Sequence, residues 1–275
     1  MTVVSRRGEA FFNGLLREPS QGVEMARDRW DLRRFKDLMD RRREATAAGL
    51  AASAADALSR EFEFAEYHAW SAQALVKEAL AQGQRRPAEL PGVAALRQVL
   101  QESEPGRTEL PLRKANCEAR AHMVAFFRAS HAATDLLAPV VYWGLGLDRK
   151  LRRPLHESTI GPPTVLEGLE KHGLHPRIHD EWSKLIDLDS YRYLRALANT
   201  MKHRHLVKAG FTVSLNFAPD ARHGLQVGRF RYDRVYEPKW VSDYLANEHP
   251  AVVRSVIRVG RAMNAELRAE RCAAL

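Results

Sequence analysis

The stretch RALANTMKHRHLV, residues 195–207, gathers Arg195, Asn199, Lys202 and His203 within nine residues. Guanidinium and ammonium groups neutralise phosphate oxygens, an amide can orient them, and an imidazole moves protons near neutral pH. On a helix turning about 100° per residue, with Arg195 at zero, Asn199 falls at about 40°, Lys202 at about −20°, His203 at about 80° and Arg192 at about 60°. Leu194, Leu197, Ala198 and Met201 sweep the opposite sector, which predicts an apolar side facing a core. The polar arc holds cations, an amide and an imidazole but no carboxylate, an arrangement suited to phosphate oxygens. Arg192 and Arg204 are the flanking cations that would add nucleic-acid contacts.

A second polar stripe lies on an earlier segment. On the same helical geometry, with Val124 as the origin, Arg120, Arg128, His131 and Asp135 all fall on the side of the helix that Val124 faces. If the two helices pack side by side, the stripes converge on one groove. Asp135 is then the natural partner for an Arg or for His203, whose imidazole it would hold in the charged form. A plainer reading stands beside this one. Arg195, Asn199 and Lys202 would hold the chain's own backbone, and His203 would meet the free carbonyls at its helix end.

LANTMKHRHLV (197–207), preceded by FRASHAATDLLAPVVYWGLGLD (127–148), resembles the HEPN superfamily over about residues 113–207. That resemblance implies a small helical-bundle domain of the kind widespread in bacterial toxins and phage-defence proteins. It also implies RNA as the ligand, a homodimer that pairs two motif helices, and an antitoxin or other partner protein as regulator. Active members are metal-independent ribonucleases whose His acts on the ribose 2′-hydroxyl or the leaving group and whose Arg stabilises the phosphorane. Carried over, Asn199 matches the family's polar residue and His203 its catalytic His, with Lys202 beside it and His131, Asp135 and Arg128 as accessory groups. The family's Arg position falls on Ala198. Arg195 precedes His203 by seven intervening residues, a longer spacing than the family's, although it shares a face with Asn199 one turn on. Only Arg149 and His156 meet that spacing, and Pro154 between them opposes a regular helix. Members lacking the full motif bind RNA or serve structurally, so a ribonuclease, an RNA-binding protein and a non-catalytic dimerisation or regulatory module are all open. No cofactor or metal is implied.

The elements that must position these residues follow from pattern. Residues 28–82 carry few helix breakers, and Trp30, Phe35, Leu38 and Met39 recur at helical spacing. Gly and Pro punctuate 83–111, a connector holding one short helix at 92–102. A long helix is expected over 113–138, ending at Pro139. Residues 148–181 read as broken, with one short helix near 164–172. The motif helix starts near Ser190, and Asp189 and Ser190 offer oxygens for its first amides. Alternation over 211–217 and 225–236 predicts a β-hairpin with a longish loop. A last helix begins at Pro250 and buries Val252, Val253, Val256, Ile257, Met263 and Leu267. The expected fold is mainly α, a helical bundle with a small antiparallel β-hairpin (211–236) before the C-terminal helix. Residues 1–110 form an N-terminal helical region and 111–275 the HEPN-like domain.

Composition bounds the rest. The chain has 275 residues, 45% hydrophobic and 28% charged, with a net charge of +9, so anionic partners are favoured. The longest apolar run, LLAPVVYWGLGL (136–147), is too short to span a bilayer, and no membrane role is expected. Two cysteines give no framework of bridges, the N-terminus carries no secretory pattern, and a cytoplasmic location fits both. His172, His175, His179 and Asp180 have near-zinc spacing, but Gly173 and Pro176 break the local helix, and a hydrated connector is expected. No phosphate loop or dinucleotide-binding loop is present. The runs Arg41–Arg43 and Arg254, Arg258 and Arg261 read as solvated faces. Arg229 and Arg231 interleave with Phe230 and Tyr232, which reads as an amphipathic strand.

Overall fold

A computed structural model describes residues 30–40, 45–83, 110–203, 207, 209–213 and 223–273. The connector expected at 83–111 and its short helix, Arg41–Arg43, Arg204 and the hairpin loop therefore lie almost wholly outside the described residues. The fold is mainly α, with a small antiparallel β element ahead of the last helix. The described residues divide into two compact units. One draws on Met1–Glu63, Ala129–Arg192 and Pro250–Leu275, the other on Phe64–Arg128 and Tyr193–His249.

In the first unit, α1 (Leu32–Asp40) is capped by Asp31, whose Oδ1 accepts from the Arg34 amide at 2.8 Å. It buries Phe35 and Met39, while Trp30 just before it is also buried. Helix α2 (Ala45–Gly83) begins in this unit. Its Ala51, Ala55, Leu58 and Phe62 recur every three or four residues and are buried, and the small side chains allow close approach to neighbours. Helix α3 (Leu110–Asp135) ends here, and the chain stays helical beyond it. The sequence expectation that Pro139 ends the long helix is corrected: α4 (Leu137–Gly144) contains it in its first turn. A proline there costs only one amide that already lacks an intrahelical partner. Leu136 carries the chain across, donating to the Ala132 carbonyl at 2.9 Å.

Helix α5 (Leu147–Lys150) is one turn, and α6 (Pro162–Lys171) starts on Pro162 and Pro163 with the Thr164 hydroxyl accepting from the Gly161 amide at 3.1 Å. Residues 176–181, expected to be part of a broken connector, instead begin α7 (Pro176–Asp187), which buries Ile178, Trp182 and Leu185. Pro176 opens this helix and does not break one. His175 precedes it in the left-handed region (φ 47°), and its imidazole is buried rather than hydrated, with Nδ1 3.2 Å from Glu266 Oε2 and Nε2 3.1 Å from Lys150 Nζ. Helix α8 (Asp189–His203) also begins in the first unit.

The second unit holds the strands. β1 (Ala209–Val213) pairs antiparallel with β2 (His223–Val227), Phe211 opposite Leu225. The run 225–236, expected as one strand, is interrupted. Residues β3 (Phe230–Arg231) and β4 (Val235–Tyr236) form a separate two-stranded ladder, while β5 (Lys239–Trp240) returns to the other edge of β2. Asp233 makes the turn: its Oδ1 accepts from the Arg234 amide and the Tyr236 hydroxyl, both at 2.9 Å. A short helix, α9 (Val241–Asp243), a π-turn over Tyr244–Glu248 and α10 (His249–Ala273) complete the described chain. α10 buries Val252, Val253, Val256, Ile257, Met263 and Leu267, the side expected from its spacing, with Arg254 and Arg258 exposed.

Candidate nucleic-acid interface

Helix α8 is buried on most of its circumference. Tyr193, Leu194, Ala196, Leu197, Ala198, Thr200 and Met201 are all inside, and the Thr200 hydroxyl donates to the Ala196 carbonyl at 2.8 Å. The remaining arc is narrow. Arg192, Arg195 and Lys202 are exposed and Asn199 is half-buried, so the predicted polar side is the side that meets solvent. Among the described residues no ion pair or hydrogen bond engages the side chains of Arg195, Asn199 or Lys202. His203 is the last residue of the helix; its side chain, like all of Arg204, lies outside the described residues.

The other predicted residues are divided. Arg192 faces solvent but its Nη2 donates to Asp187 Oδ1 at 2.7 Å, so a carboxylate already offsets that cation. Arg128 on α3 reaches the α8 backbone, its Nη2 donating to the Met201 carbonyl at 3.4 Å. That bond draws the α3 stripe to α8 within the second unit, one residue from Lys202. His131 and Asp135 belong to the first unit, where they pair along their own helix, Nδ1 to Oδ2 at 3.2 Å. Ala198, the residue one position before Asn199, is buried at 4% exposure. Among the described residues of this face, Arg195, one turn before Asn199, is an exposed arginine, while Arg192 is paired to Asp187.

What presents the arc is an aromatic core that sequence reasoning did not single out. Tyr193 lies under the helix with its ring centroid 5.6 Å from Phe230, 5.7 Å from Tyr236 and 5.7 Å from Tyr244. Phe230 and Tyr236 stack at 4.9 Å with planes 8° apart, and Phe127 contacts Tyr244 at 5.1 Å. Lys239 caps the Tyr193 ring at 4.4 Å and is held by both Glu248 oxygens at 2.6 and 2.7 Å. Burial pushes the Tyr193 and Tyr244 hydroxyls far above the ordinary phenol range, with Glu248 adding in the same direction. They are structural groups at any pH near neutral. Alternate aromatics at 230, 232 and 236 are the signal visible in sequence; the turn at Asp233 that stacks Phe230 on Tyr236 leaves none.

Chemically the arc can bind and orient an anion. Two exposed cations and an amide share one side of α8 over two helical turns, and a nearby imidazole would be needed for proton transfer. No group of three or more metal-ligating side chains occurs among the described residues. A surface hollow is lined by Asp31, Arg33, Arg34, Asp37, Leu38 and Arg271; none of the predicted site residues borders it. No protein-family model, characterised protein or solved structure matches the chain.

Proposed function

We propose that this protein binds RNA through the exposed arc of α8, as a HEPN-like domain acting in a toxin or defence setting and pairing with a second copy of itself. Arg195 and Lys202 neutralise phosphates, Asn199 orients one, and Arg192 and Arg204 extend the track. The observation that carries the reading is that Arg195, Asn199 and Lys202 share the solvent side of a helix otherwise buried, with no partner among the described residues. A buried helix face normally satisfies its polar groups internally; a row left to water is where an external anion can dock.

Cleavage is the finer part of the proposal. His203 would take the proton of the ribose 2′-hydroxyl as that oxygen bonds to phosphorus, the bond to the 5′-oxygen would break with a proton returned to that oxygen, and Arg195 or Lys202 would stabilise the charge developing on phosphorus. The test is turnover of single-stranded RNA in EDTA by wild type and by His203→Ala. A metal-independent ribonuclease loses on the order of a hundredfold or more in rate without its general base. Equal rates, or none in either protein, remove the catalytic part and leave binding.

A second reading, a non-catalytic interaction module, is favoured by one specific contact. Arg128 spends its guanidinium on the Met201 carbonyl, which is a structural use of a residue in the predicted stripe. It predicts that Arg195→Ala with Lys202→Ala leaves RNA affinity unchanged and alters oligomer mass or thermal stability.

A further inference from the structure

Two histidines far apart in the chain meet in the second unit. His68 on α2 and His122 on α3 bring their Nδ1 atoms to 2.9 Å. Both side chains are half-buried, so water and a small ion can reach them. The Tyr67 ring stands edge-on to both, its centroid 5.2 Å from that of His68 and 6.0 Å from that of His122.

As a hydrogen bond the pair needs one ring to donate and the other to accept, a neutral contact that contributes about 1 kcal/mol. The same arrangement is close to that of two imidazoles on one ion. Zinc holds each ring nitrogen at about 2.0–2.1 Å in a tetrahedral shell, which sets the two nitrogens about 3.3 Å apart and the two ring centres about 5.3 Å apart. The His68 and His122 centroids are 5.1 Å apart, with planes tilted by 43°. The rings therefore already stand at chelating separation, and a small turn of each opens the nitrogens by about 0.4 Å. Charge favours a cation here. Glu118 lies one turn before His122 on the same side of α3, and its pairing with the well-exposed Lys114 is loose, at 3.7 Å. The histidines whose spacing looks more metal-like in sequence are differently placed, since His175 is engaged by Glu266 and Lys150.

We propose that His68 and His122 chelate a divalent ion of the zinc class through Nδ1, clamping α2 to α3, with water in the remaining positions. The proton between the rings moves to Nε2 of its own imidazole, so both rings stay neutral and both Nδ1 lone pairs face the metal. Two side-chain donors are fewer than structural or catalytic zinc sites use, so the affinity is micromolar and the ion exchangeable. The clamp is separate from the α8 arc, and neither it nor the RNA reading rests on the other.

The test is calorimetric titration of zinc chloride into the full chain after EDTA treatment and dialysis. A single ion per chain is expected, with a melting temperature that rises with zinc concentration. His68→Gln and His122→Gln each weaken binding by about tenfold or more, with helical circular dichroism unchanged, whereas Cys117→Ser with Cys272→Ser leaves it intact. In wild type, ring-nitrogen resonances are expected to place zinc on Nδ1 of both histidines, a readout that stands if a variant fails to fold. No binding by about 1 mM zinc overturns the proposal. So does binding that is indifferent to both histidine variants, lost with the cysteines, or made through Nε2.

Discussion

Proton uptake at His249 is opposed by its surroundings. The ring is buried, 5.0 Å from Phe126 and 6.5 Å from Tyr244, and desolvation lowers its pKa from 6.5 to about 4. Above pH 6.5 both folded and unfolded chains hold this His neutral and it contributes no pH dependence. As pH falls from 6.5 toward 4 the unfolded chain takes the proton and the folded one does not, so stability is lost across that window and levels off below it. The full effect is on the order of 3 kcal/mol. His68 shifts in the same direction, through burial and then through His122, whose Nδ1 is 2.9 Å from its own. Urea unfolding from pH 7.5 to 4 should show the midpoint falling below pH 6.5, and His249→Gln should flatten the curve. An identical pH profile in the variant contradicts the assignment. A histidine following Glu248 at a helix start reads as polar in sequence; only the aromatic packing of residues far apart in the chain reveals it as buried.

At the scale of elements, helical period is legible in the sequence and breakers are not. The polar arc of α8 and the apolar side of α10 follow directly from residue spacing, because 3.6 residues per turn leaves little freedom. Pro139 and Pro176 read as stops, yet each sits in a first helical turn, where proline is tolerated. The alternation through 225–236 continues past Gly228 and Asp233 although the chain turns there, since alternation records burial and not straightness. Close packing gives this scale its own test. Gly260 on α10 lies under the Trp30 ring, and a Cβ built there would come within 2.1 Å of it. Asn264, one turn on, donates to the Asp31 carbonyl at 2.9 Å and pins the same segment. Gly260→Ala should therefore cost about 1–3 kcal/mol by overpacking, read as a lower urea midpoint with unchanged slope. No loss would show that Trp30 does not bed on this helix.

For the molecule as a whole, a net charge of +9 attracts any polyanion at low salt, and exposed arginines such as Arg33, Arg34, Arg254 and Arg258 would all contribute. Binding of RNA alone therefore says little about α8; the decisive quantity is how much of the ionic contact is lost when that arc is altered. The most direct measurement is fluorescence anisotropy of labelled single-stranded RNA with wild type and with Arg195→Ala combined with Lys202→Ala, titrated from about 50 to 200 mM salt. The account predicts weaker binding by the variant and a log–log salt slope shallower by about 1.4, two phosphate contacts on a single strand. Equal affinity and equal slope in the two proteins would contradict it.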